Sequence, residues 1–84
     1  MKDEKIIETC ELYKEAIDDF FHNSYLPEAY KHIGYMLWQI PQFLKEGRKE
    51  KANRWLGFVQ GVLWTKGFYT IEEMKEHNKP NENK

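Results

Sequence analysis

The 84-residue chain contains a single cysteine, Cys10. No disulfide can form within it, so the covalent staple of many small domains is excluded. It also lacks any apolar run approaching the roughly 20 residues of a membrane-spanning helix. Charge of one sign is missing as well: 13 basic residues oppose 14 acidic ones, for a formal net charge of −1. A general polyanion binder carries a clear basic excess, so that class is disfavoured. The opening Met1-Lys2-Asp3-Glu4-Lys5 is charged and runs into a helical pattern. It does not read as a secretory signal. With one cysteine, this predicts a cytoplasmic protein.

Catalytic signatures are equally scarce. There is no phosphate-cradling glycine-rich loop with its lysine and no serine elbow. Cys10 falls on an apolar helical stripe, where a free thiol is ordinarily a small buried hydrophobe. A reactive thiol needs an accessible electropositive setting instead. His22, His32 and His77 share no ligand spacing, and only Glu73–His77 stands at i, i+4. That pair suits a helix surface as well as a metal. Glu8, Glu11 and Glu15 recur at the spacing of a solvated helix face. No metal, no cofactor and no enzymatic activity are therefore expected.

Aromatics are abundant: three Trp, five Tyr and five Phe. Large rings bury much area per residue, which lets so short a chain build a core. Apolar spacing of three and four predicts a first helix over Asp3 to His22, with Ile6, Cys10, Tyr13, Ile17, Phe20 and Phe21 inward and Asp3 as N-cap. Asn23-Ser24 ends it. A second helix is expected from Pro27 to Glu46, on Tyr30, Ile33, Leu37, Ile40 and Leu44. Pro41 lies inside that pattern and predicts a kink or a break near Gln39–Pro41. A third helix should run from Arg48 to Lys66, with Ala52, Trp55, Leu56, Val59, Val62 and Leu63 inward. Gly47 and Gly67 suit the positions just past two helix ends. Thr70-Ile71-Glu72-Glu73 is a capping-box pattern and should start a short fourth helix ending near His77. The expected fold is all-α: one domain over residues 1–78, a three-helix bundle with a proline-kinked second helix and a short fourth, followed by a polar tail over 79–84.

Two surfaces attract attention. Lys45, Arg48, Lys49, Lys51 and Arg54 crowd the turn before the third helix, a possible contact for an anion, a nucleic acid or an acidic partner. Glu46 and Glu50 dilute this cluster, and a recognition helix needs a polar, base-reading face that this apolar helix lacks. The second surface is on the third helix itself. Gly57 and Gly61 each cost about 1 kcal/mol relative to alanine in a helix interior. They lie with Asn53, Gln60 and Trp64 opposite the apolar stripe. A helix that only covered a core would carry Lys or Glu there. Either another helix of the same chain packs into this face, or another chain does. The second reading is preferred, because two nearly opposite apolar faces are hard to bury in so short a chain. Trp38, near Gly34 on the second helix, is expected to extend the surface, tryptophan being a common interface anchor.

The segment Asn53-Arg54-Trp55-Leu56-Gly57-Phe58-Val59-Gln60-Gly61-Val62-Leu63-Trp64, with Thr70-Ile71-Glu72-Glu73-Met74-Lys75 and Asn78-Lys79-Pro80, resembles the C-terminal part of small bacteriophage proteins. The resemblance covers about a third of the chain. It implies no catalytic residue; it implies a protein that binds and redirects a host factor or blocks a host defence. The expected function is thus a non-enzymatic interaction protein, binding a host macromolecule or a second copy of itself. A nucleotide-binding oligomer and a nucleic-acid binder using residues 45–54 are the alternatives.

Overall fold

The computed structural model describes residues 2–22 and 24–79. They form four helices, α1 (Asp3–Phe20), α2 (Glu28–Lys45), α3 (Lys49–Thr65) and α4 (Ile71–His77), with no strand among the described residues. This is the expected all-α bundle of three long helices and one short one. Asn23 and residues 80–84 of the expected tail lie outside the described residues.

On α1, the predicted stripe is buried through Ile6, Cys10, Tyr13 and Ile17. Thr9 joins it, its hydroxyl donating to the Lys5 carbonyl at 2.8 Å and so entering the interior satisfied. Phe20 departs from expectation: it is 70% exposed, its ring lying against the rings of Phe21 and Phe68. α1 also starts one residue early. Lys2 occupies the N-cap position without a side-chain bond, and Asp3 is the first helical residue. The Asp3 carboxylate instead faces Lys49 Nζ at 3.4 Å, tying the start of α1 to the start of α3.

α2 continues unbroken through Pro41, so the expected break does not occur. A proline in a helix interior costs about 3 kcal/mol. Ile40 and Phe43 on either side are buried, and each such side chain contributes about 1.5–3 kcal/mol. Tertiary packing of the flanking turns therefore outweighs the local penalty. α2 is the central element, packing against both α1 and α3, which touch each other much less.

Two helices end in the same way. Gly47 and Gly67 have φ of 78° and 85°, a region open to glycine without strain. At the end of α2 the Arg48 N–H donates to Phe43 at 2.8 Å and the Gly47 N–H to Leu44 at 3.1 Å. At the end of α3 the Phe68 N–H donates to Leu63 at 2.9 Å and the Gly67 N–H to Trp64 at 3.0 Å. These crossed bonds satisfy carbonyls that a helix end leaves free and turn the chain sharply. α4 opens on the predicted capping box: Thr70 Oγ1 accepts from the Glu73 N–H at 3.1 Å, and Glu73 Oε1 accepts from the Thr70 N–H at 2.8 Å.

One core holds the helices together, contributed mainly by Tyr13, Leu37, Ile40, Leu56, Val59 and Leu63 at their centres. A second aromatic group closes one end. Phe21 meets Tyr30 at 4.7 Å between centroids, and Tyr30 meets Phe68 at 5.8 Å.

Candidate protein-interaction face

α3 turns Ala52, Leu56, Val59 and Leu63 to the core. At about 100° per residue, Gly57 and Gly61 then project almost directly away from it. Both are exposed, and a Cβ built on either meets no heavy atom within 4 Å. No other helix of the chain fills this face, so the intramolecular alternative is excluded among the described residues. Phe58 stands on one flank, 56% exposed, and Trp64 on the other, 50% exposed. With Val62, Thr65 and Lys66 they line an open groove of about 430 Å³. The two glycines form its floor because they have no side chain to fill it. Gly34 on α2 likewise meets nothing within 4 Å, but it lines a smaller hollow between α1 and α2 that has no exposed ring in its lining.

Three residues predicted on this face need separate placing. Asn53 is exposed one turn before Gly57. Gln60 is not part of the free surface. Its Nε2 donates to the Tyr13 hydroxyl at 3.0 Å and to Asn78 Oδ1 at 2.8 Å, drawing the side chain toward the core edge. Trp38 is 58% exposed but contributes nothing to the groove. It follows Gly34 by one helical turn, and Gly34 belongs to the α1–α2 side.

The Gln60 bonds belong to a cluster that sequence periodicity hid. Tyr13 is fully buried, yet its hydroxyl serves three elements. It accepts from Gln60 of α3, lies 2.7 Å from His77 Nδ1 of α4, and contacts Met74 Sδ at 3.4 Å. The Tyr69 ring stands edge-on to His77 at 4.8 Å and beside Tyr13 at 5.3 Å. Burial pushes the Tyr13 phenol up to about 12, partly offset by the Gln60 hydrogen bond. Burial also holds His77 below the ordinary histidine value, against the opposing pull of Glu73. Which of Tyr13 and His77 donates across their 2.7 Å contact follows the histidine tautomer. The cluster fastens α4 to the bundle: of the two residues predicted at i, i+4, Glu73 closes the capping box and His77 faces the Tyr13 hydroxyl. Among the described residues, no group of three His, Cys, Asp or Glu side chains could hold a metal ion. Cys10 is buried, and burial raises its thiol to about 12.

The basic turn is less free than its composition suggests. Lys49 pairs with Asp3, and Arg48 with Glu46 at 3.4 Å. Lys51 Nζ lies 4.7 Å from the centroid of the Phe43 ring and 5.5 Å from that of Trp55, and the Arg48 guanidinium 5.2 Å from that of Phe43. Those two rings meet edge to face at 4.8 Å, so the cations seal the outer edge of the α2–α3 contact. Lys45 and Arg54 make no ion pair among the described residues. Arg48, Lys49, Lys51 and Arg54 line a shallow hollow of about 380 Å³ together with Gly47 and Glu50, and Lys45 is not in its lining. No helix among the described residues is long and apolar enough to cross a membrane.

No family model, no curated protein and no solved structure matches this chain. The groove geometry is thus the principal guide to function. A free helix face with a side-chain-free floor and aromatic walls can take a helix from another chain at close range. The polar groups in the groove lining are the Thr65 hydroxyl, which donates to the Gly61 carbonyl at 2.8 Å, and the Lys66 amine.

Proposed function

We propose that this protein is a non-enzymatic interaction module that docks another protein on the outer face of α3. The observation that carries the reading is the pairing of Gly57 and Gly61 with exposed Phe58 and Trp64, on the side of α3 away from its own core. Two glycines weaken this helix without any packing return inside the chain. Two large apolar rings stand in water beside them, and such anchors dominate the energetics of protein contacts. The resemblance to small bacteriophage proteins supplies a setting, in which the bound protein is a bacterial host factor and the compartment is the host cytoplasm.

The test compares wild type with Gly61→Leu as bait in bacterial lysate. A leucine here starts from a Cβ that meets no heavy atom within 4 Å, and its side chain occupies the groove floor. A protein retained by wild type and lost with Gly61→Leu is the expected outcome. Identical captured profiles, together with monomeric sedimentation of both forms, would sink the reading.

A further inference from the structure

The charges around the α3 groove define what kind of chain fits it. No carboxylate lines the groove. Lys66 lines one end of the groove, and Arg54 stands one turn before Gly57, just beyond the lining at the other end, so a cation lies past each end of the apolar floor. Both are exposed, and neither makes an ion pair among the described residues. Glu50, one turn before Arg54, is the one carboxylate on α3. At a rise of 1.5 Å per residue, Arg54 and Lys66 stand about 18 Å apart along the axis, roughly three turns of an opposing helix.

Pairing of two α3 helices conflicts with this pattern. An antiparallel pair centred between Gly57 and Gly61 brings Arg54 of one copy to the Trp64–Lys66 turn of the other. A parallel pair sets Arg54 against Arg54 and Lys66 against Lys66. Either way, like charges meet at the margins of the apolar contact, which costs affinity and disfavours that partner. An occupant with carboxylates at those two margins turns the same positions into attractive ones.

We infer that the α3 groove receives an acidic amphipathic helix: a short apolar stripe seated on Gly57 and Gly61 between Phe58 and Trp64, flanked by carboxylates that meet Arg54 and Lys66. The inference rests on the interaction reading above and names the chemistry of the partner. The glycine floor sets the distance, allowing close approach of the partner backbone. The rings give apolar area. The cations set orientation and reject basic helices.

The test uses two synthetic helical peptides of about sixteen residues, enough to span the groove with a turn to spare. Both carry the same leucine stripe at i, i+3, i+7 and i+10; one has glutamates at the flanks, the other lysines. Binding of each fluorescently labelled peptide to the full chain is followed by anisotropy. The glutamate peptide is expected to bind at least about tenfold more tightly than the lysine peptide, with the difference shrinking at high salt. Gly61→Leu and, independently, Trp64→Ala should each weaken it, with helix content unchanged by circular dichroism. Arg54→Glu combined with Lys66→Glu should reverse the preference. Equal affinity for the two peptides, or glutamate-peptide binding indifferent to Gly61→Leu and Trp64→Ala, overturns the inference. Failure of both peptides, with wild-type self-association that Gly61→Leu abolishes, overturns it in favour of a second copy while the interaction reading stands. Failure of both peptides with no self-association and no partner sensitive to Gly61→Leu removes that reading too.

Discussion

Gly57 and Gly61 are free to become alanine as far as the folded chain is concerned. Neither has the positive φ that requires glycine at Gly47 and Gly67, and an added Cβ meets open space at both. Alanine loses less conformational entropy than glycine on entering a helix. Gly57→Ala and Gly61→Ala are therefore each expected to raise stability, by about 0.5–1 kcal/mol, in urea denaturation. A loss of stability would mean that the face is occupied by the chain itself. Cys10 gives a second expectation at this scale. Its thiol is buried and is raised to about 12, chiefly by that burial. Thiolate is the reactive form, so Cys10 should resist alkylation in the folded protein near neutral pH and react promptly in denaturant. Rapid labelling under native conditions would contradict the packing of α1.

At the scale of the element, α4 is the piece most dependent on a few contacts. It has seven residues, too few to be stable alone, and is held by Met74, His77 and its capping box. Burial keeps His77 below its ordinary value in the folded protein. The unfolded chain, with a histidine near 6.5, then holds more protons than the folded one between the two pKa values. Stability therefore rises with pH across that window. The docking contribution is fully present above about 6.5 and is lost as pH falls through the folded value. The expected result is a falling denaturation midpoint between neutral and mildly acidic pH, largely abolished in His77→Phe. An unchanged slope in that variant would assign the effect to another group. Tyr13→Phe removes the hydroxyl shared by three elements and leaves Gln60 and His77 without it. It should cost about 1–3 kcal/mol, the range for a partly buried polar group deprived of its partner.

For the whole molecule, the margin is narrow. For an 84-residue chain without an internal disulfide, the general per-residue range for folded proteins corresponds to about 4–13 kcal/mol. Its core is a single cluster with α2 at the centre. Leu63 is fully buried, and truncation of a buried leucine costs about 2–5 kcal/mol. Leu63→Ala should therefore lower the thermal midpoint by about 8 °C or more, at about 4–8 °C per kcal/mol for a domain of this size. Trp38→Ala, at a site more than half exposed, should leave it nearly unchanged.

Several features are determined by the sequence alone, because their physics is local. Helix spacing is set by one period, so α1, α2 and α3 are legible to within a few residues in Ile6–Ile17, Ile33–Phe43 and Ala52–Leu63. Turns at Gly47 and Gly67, and the start of α4 at Thr70, follow from the backbone freedom of glycine and the reach of one side chain. The glycine-floored face was visible as a departure from amphipathic pattern. Tertiary structure alone decided whether another helix covers it, because that depends on where α1 and α2 lie; both pack on the opposite side. It also decided the roles of polar residues whose partners are distant in sequence. Gln60 and His77 reach Tyr13 across 47 and 64 positions, and no local rule pairs them. Pro41 is the remaining case: its local preference is plain in sequence, but the buried turns on either side of it carry α2 through unbroken.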